Sequence, residues 1–302
     1  MPPRRHLMSF PIYMALPLLA AGLYAYGSLY FKKAFEHDIS VIHTFVVTSW
    51  AMAIVFVPLV FLDPLPAQPR WVVRPILCAL LFFGGHWFTF AAIRRGDMSI
   101  VVPAMGTKAF FVALTAAFFF GKSIHPGMWI ASILVAVGIS ILNQSDQTRT
   151  QGISIPVILT LFSSMCFGSC DAAIQAWAPE YGARGFMGTM FLIIALFSSV
   201  FLRWADQPLK QADRDGMRAL VVGASIIALQ GTLVALSVVA FDNATGVNVV
   251  YSSRGLWSVL LVWWLGHRFQ TQEPRHDRRL LATRFLGATI MMAAVALALW
   301  AS

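Results

Sequence analysis

Charge is scarce in this sequence. Asp, Glu, Lys and Arg make up only 12% of its 302 residues, while 58% are hydrophobic. Soluble domains carry about 25% charged residues, so a solvated globule is excluded and the lipid bilayer is the chain's natural solvent. Cysteine is scarcer still. Cys78, Cys166 and Cys170 all fall within apolar runs, which leaves neither a disulfide framework nor a zinc-binding spacing. Cys166 and Cys170 share one helix face and read as small packing residues. Chemical signatures are missing too: the sequence contains no HExxH, no GxSxG, no DG-rich catalytic loop and no ATP-binding motif. The chain is therefore read as a non-enzyme with no metal and no cofactor. The alternative from another class is an intramembrane enzyme using His86 and Asp171 as acid and base.

The formal net charge is +9, yet no nucleic-acid-binding motif accompanies it. Most basic residues sit in short gaps between apolar runs, as in loops that face anionic lipid or cytoplasm. "EPRHDRRLLATR" is read as a cytoplasmic loop, and Lys32, Lys33, Arg94 and Arg95 as lipid-facing anchors at helix ends. The start, "MPPRRHLMSF", is signal-like but is followed by "FKK" rather than a cleavage site, so it is read as leading into a retained helix.

What the sequence has is long apolar runs, with a mean hydropathy of +0.72. About 20 apolar residues cross ~30 Å of hydrocarbon as a helix, and in lipid every backbone polar group must be satisfied within the protein. Runs near 12–31, 43–62, 75–93, 99–120, 127–143, 154–176, 186–203, 217–240, 246–266 and 284–300 meet that description. The expected fold is all-α and integral to the membrane, with ten transmembrane helices. Pro17 and Pro58 lie inside spans and should kink them.

The polar gap "NQSDQTRTQG" divides the spans into two sets of five. "SIVVPAMGTKAFFVALTAAFFFGK" (99–122) aligns without a gap on "TGVNVVYSSRGLWSVLLVWWLGHR" (245–268), placing Lys108 on Arg254 and Phe111 on Trp257. An odd number of crossings per unit makes the second copy enter from the opposite side, so residues 1–146 and 147–302 are expected to form inverted five-helix repeats. Inversion gives one fold two nearly equivalent arrangements, each open to one side. The odd-numbered connections hold 14 of the 22 basic residues, which by the positive-inside rule places both termini outside.

Lys108 lies about 14 Å along its span by helix rise, and Arg254 lies equally deep in its own. A cation near the midplane costs ~2.5–3.5 kcal/mol on insertion scales. Either both face an aqueous cavity and attract an anionic group, or a permanent partner neutralises them. Asp171 is the obvious candidate for such a partner. Asp171 is also a candidate carrier of a coupling proton. His86, after two glycines in "FFGGHWFTF", is read as a hydrogen-bonded packing residue or as a second proton group. On a helical wheel Thr245, Asn248, Tyr251, Ser252, Arg254 and Ser258 share one face, and Thr107, Lys108, Phe111 and Thr115 share another. Trp257 and Tyr24 are further candidates for lining a pocket.

Two five-helix halves with "GDMSIVVPAMGTKAFFVALTAAFFFGKSIHPGMWIASILVAVGISIL" (96–142) resemble an EamA-type member of the drug/metabolite transporter superfamily. The shared pattern is a proline opening the fourth helix, "FVAL", a Phe/Leu-rich exit ending in glycine, and a late glycine, Gly138, in the fifth. One position departs: many relatives place glutamate directly after the exit glycine, and here it is Lys122. The resemblance implies transport and leaves the substrate open. In related phosphate-translocating members, cations on the fourth and ninth helices hold the substrate's anionic group.

The expected function is thus secondary active transport, by alternating access, of a small polar metabolite that is anionic or zwitterionic: an amino acid, organic acid or phosphorylated metabolite. The expected substrate-binding set is Lys108, Arg254, Tyr251, Asn248, Ser258, Thr107, Phe111, Trp257 and Tyr24, with Asp171 and His86 for coupling or counter-charge. The partners are the lipid bilayer, a small-molecule substrate, and a coupling proton or counter-substrate, in a monomer or dimer of the cell (inner) membrane. An exporter of neutral or hydrophobic compounds, its charges paired internally, is the alternative within transport. A receptor or scaffold has no need of repeat-related midplane cations.

Overall fold

The computed structural model of the protein describes residues 12–62, 72–96, 98–123, 125–144, 155–205, 213–241, 244–265 and 278–301. The N-terminal "MPPRRHLMSF", most of the polar gap between the halves and the first five residues of the Arg-rich segment lie outside them, whereas the rest of that segment, from Arg278, is not loop but the start of the last helix. Among the described residues the secondary structure is helical, without strands. The helices are α1 (Ile12–Glu36), α2 (Val41–Phe56), α3 (Val73–Arg95), α4 (Met98–Ala104), α5 (Lys108–Phe120), α6 (Pro126–Gln144), α7 (Ile155–Tyr181), α8 (Ala183–Val200), α9 (Arg214–Phe241), α10 (Ala244–Tyr251), α11 (Arg254–Leu265) and α12 (Arg278–Ala301).

Among the described residues, six stretches are long and apolar enough to cross a membrane: Val41–Phe61, Val73–Arg95, Ile100–Phe120, Ile155–Tyr181, Ala183–Trp204 and Arg214–Val238. Their outward faces carry bare apolar side chains such as Ile54, Phe61, Phe118 and Phe119. In water such faces would drive aggregation; in hydrocarbon they are the solvated surface.

Two expected spans are not uniform α-helix. Between α4 and α5, Met105–Thr107 form a 3-10 turn. Between α10 and α11, Ser253 N–H bonds the Val250 carbonyl and Gly255 N–H bonds that of Ser252, again with 3-10 spacing. Both tightenings come directly before the two cations, so Lys108 opens α5 and Arg254 opens α11. Pro58 likewise stands where α2 passes into a 3-10 segment, Val57–Phe61.

Lys32 is not a lipid-facing anchor. α1 runs past it to Glu36, and its Nζ donates to the carbonyls of Gly96 at 3.1 Å and Ile93 at 3.4 Å. These carbonyls end α3, where a helix lacks onward donors and its dipole favours a cation.

The principal helix contacts cross between the two halves of the chain. α1 packs on α9, α3 on α7, α6 on α12, and α2 on both α8 and α9; α5 lies along α7, and α11 along α1 and α4. Two glycines permit close approaches beside the two cations. A Cβ on Gly168 would stand 2.9 Å from the Lys108 carbonyl oxygen and 2.9 Å from Val112 N, so α7 presses directly on the α5 backbone. A Cβ on Gly255 would meet Pro103 Cα at 2.9 Å, which sets α11 against α4.

Candidate functional site

The Gly168 contact determines what Asp171 can reach. Three residues further on, Asp171 lies on the same face of α7, and its carboxylate meets Lys108 Nζ at 2.7 Å. Asn248 of α10 donates to the same oxygen, Oδ2, at 2.6 Å, and its amide also reaches the Ala244 carbonyl at 2.9 Å. Both charged residues are buried, Lys108 at 6% and Asp171 at 8% exposure. A buried pair held this way rests on short charge-assisted bonds, and removing one partner would leave the other charge without compensation.

Arg254 is held differently. It is 2% exposed, and its guanidinium donates from Nη2 to the Met105 carbonyl at 2.6 Å. It lies over the rings of Tyr251 at 4.3 Å and Tyr24 at 5.0 Å. Among the described residues no ion pair includes it, and its buried Nε has no hydrogen-bond partner. The aromatic faces offset part of the cost of burying the cation, but they supply no negative charge. Lys108 shares Tyr251, at 5.8 Å, and sits 5.5 Å from the Phe167 ring. With His86 counted as neutral, Lys108, Asp171 and Arg254 leave the cluster one net positive charge.

The tyrosines tie the cluster together. Tyr24 and Tyr251 meet edge to face at 6.0 Å. Tyr24 O–H points to Met105 Sδ at 3.0 Å, and Tyr251 O–H donates to Gln230 of α9. The two tightened turns also brace each other, because Ser252 Oγ donates to the Gly106 carbonyl at 3.3 Å beside the Arg254–Met105 bond. A side chain from one half thus completes the backbone of the other.

These groups line one cavity of about 70 Å³, measured as the space water centres can reach. At roughly 10–15 Å³ per water, that holds a handful of waters or one small ligand. Lys108, Arg254, Tyr251, Tyr24, Asp171 and His86 line it. The other expected residues lie elsewhere. Asn248 stands behind Asp171 as its donor, and Thr107 and Ser258 bond the carbonyls of Ala104 and Gly255 in their own helices. Phe111 packs where α5 meets Gly168, and Trp257, 38% exposed, lies across Gly22 of α1. Gln230 was not anticipated, although a glutamine in the middle of an apolar span is itself a signal for an intramembrane polar site. Among the described residues, no three or more His, Cys, Asp or Glu come together as metal ligands.

Comparison with known proteins adds a family likeness. Residues 11–144 match the model of the EamA-like transporter family. Over those residues, somewhat less than half of the chain, the sequence is similar to that family. That family comprises membrane transporters, and with the apolar helices the match identifies an integral, multi-pass membrane protein. One solved crystal structure superposes with a TM-score of 0.59 at 15% identity, covering 93% of this chain and 97% of that one. At that identity the likeness concerns the fold. No curated protein matches.

Proposed function

We propose that this EamA-like chain is a secondary transporter that moves a small anionic or zwitterionic metabolite through the cavity at Arg254. The observation that carries the reading is a cavity-lining cation that is 2% exposed and in no ion pair among the described residues. A charge so placed is costly unless an anion visits it. Lys108 presents its second face to the same ligand while Asp171 holds it. The 2.7 Å contact, with Asn248 on the same oxygen, favours a fixed counter-ion role for Asp171 over that of a proton carrier.

Alternating access between inverted five-helix repeats, 1–146 and 147–302, is the mechanism we infer. The helix pairing supports it. If α1 corresponds to α7, α2 to α8, α3 to α9, α4 and α5 to α10 and α11, and α6 to α12, the contacts occur in matched pairs. α1–α9 is then the image of α7–α3, and α5–α7 that of α11–α1, while α2–α8 and α6–α12 map onto themselves. An ion gradient or solute exchange drives the cycle, in the cell membrane.

Uptake into proteoliposomes across a panel of amino acids, organic acids, sugar phosphates and neutral solutes tests the reading. Transport of anionic or zwitterionic solutes that disappears in Arg254→Gln is expected. Movement of neutral solutes alone would favour the exporter alternative, in which the Lys108–Asp171 pair is purely internal. Product formation in detergent, with no gradient present, would favour the intramembrane enzyme.

A further inference from the structure

The cavity is built in two unlike parts. Its charged part comes from α1, α5, α7 and α11, with Tyr251 of α10, and its polar groups are largely occupied by one another. Asp171 is taken by Lys108 and Asn248, Tyr251 by Gln230, and Tyr24 by Met105. The rest of the wall is largely apolar: Met52 of α2, Phe82 of α3, Phe167 of α7, and Met187, Met190 and Phe191 of α8. Apart from His86, set among the rings of Phe45, Phe82, Phe90 and Phe167, that wall places no hydrogen-bonding side chain on the cavity among the described residues.

Building on the transporter reading above, we propose that the ligand is a monoanion with an apolar body, a small monocarboxylate whose hydrocarbon or aromatic part rests on the methionine and phenylalanine wall. Two observations select this class. The first is charge: the cluster is one positive charge in excess, so a monoanion brings it to neutrality. A phosphomonoester dianion overshoots, and a zwitterion leaves the excess in place. An uncompensated charge in a low-dielectric site is costly in either direction. The second is the wall. A sugar or polyol body would lose its water bonds there and find few partners, whereas an apolar body replaces contact with water by contact with carbon and sulfur. The three methionines, Met52, Met187 and Met190, have unbranched polarizable side chains that adapt to bodies of different shape, while the carboxylate position is fixed by the guanidinium between two tyrosine rings.

Calorimetric titration of the purified full chain in lipid nanodiscs with acetate, butyrate, hexanoate, phenylacetate, lactate, phenylalanine and glycerol phosphate tests this. Each chain carbon that reaches the wall should tighten binding about fourfold per methylene, and phenylacetate should bind well above lactate, phenylalanine and glycerol phosphate. The signal should vanish in Arg254→Gln, which also corrects for partition into lipid. In Met190→Gln the gain from acetate to hexanoate should shrink. A flat chain-length series, or lactate or glycerol phosphate binding as well as phenylacetate, overturns the apolar-body inference and leaves anion transport standing. If none of these anions, nor the zwitterion, binds above the Arg254→Gln background, the anion site itself is refuted.

Discussion

Asp171→Asn, Lys108→Met and their combination separate a fixed ion pair from a ligand-binding charge. Asp171 and Lys108 meet at 2.7 Å with side chains only 11% and 8% exposed. Removing either charge leaves the other buried without its partner, at a cost of about 3–5 kcal/mol. The amide introduced by Asp171→Asn still offers an oxygen to the Asn248 donor, so the loss in that variant comes from charge and not from shape. The double variant buries no orphan from this pair and should return to within ~1–2 kcal/mol of the parent, so the single effects are strongly non-additive. Unfolding of the purified protein in mixed detergent micelles measures all four corners of the cycle. Because the pair contributes no net charge, the double variant keeps the excess positive charge at Arg254 and should still bind an anion, whereas Arg254→Gln should not. Single losses below ~1 kcal/mol that simply add would mean the pair is solvated like a surface ion pair, and the buried-site reasoning would fail.

Two further outcomes follow from the same geometry. Gly168→Leu places its Cβ 2.9 Å from the Lys108 carbonyl oxygen, so α7 must move off α5; a loss of about 1–3 kcal/mol and a weakened Asp171–Lys108 coupling are expected in the same unfolding assay. His86 lines the cavity at 6% exposure with an unpartnered Nδ1, and orphaned polar groups cost ~1–3 kcal/mol. His86→Phe should therefore match or exceed the parent's thermal stability, as followed by thermal unfolding with size-exclusion detection; a clear loss would show that the imidazole has a partner through water.

The charges were the legible part of the site. A cation in an apolar run is conspicuous whatever the fold, and the ungapped alignment of 99–122 on 245–268 placed Lys108 and Arg254 at matching depth before any coordinates. Asp171 stood out for the same reason. The wheel was less reliable because it assumed unbroken α-helix. A 3-10 turn advances about 20° more per residue than an α-helix, so a short turn at Met105–Thr107 or after Tyr251 changes the face on which later residues fall. Of the face the wheel assigned, Tyr251 and Arg254 line the cavity, while Asn248 and Ser258 are turned to Asp171 and to the Gly255 carbonyl. The apolar wall was not legible at all, since in a chain with 13% aromatic residues a phenylalanine facing a cavity looks like one facing lipid. Only the packing of α2, α3, α8 and α9 around the space distinguishes them.

The helix pairing across the two halves has a consequence for how the chain can be divided. With α1 seated on α9, α3 on α7 and α6 on α12, each half serves as the interior of the other, and a cut at the central connection would not release two self-sufficient modules. A separately expressed first half would expose to lipid the grooves that α7, α9 and α12 fill.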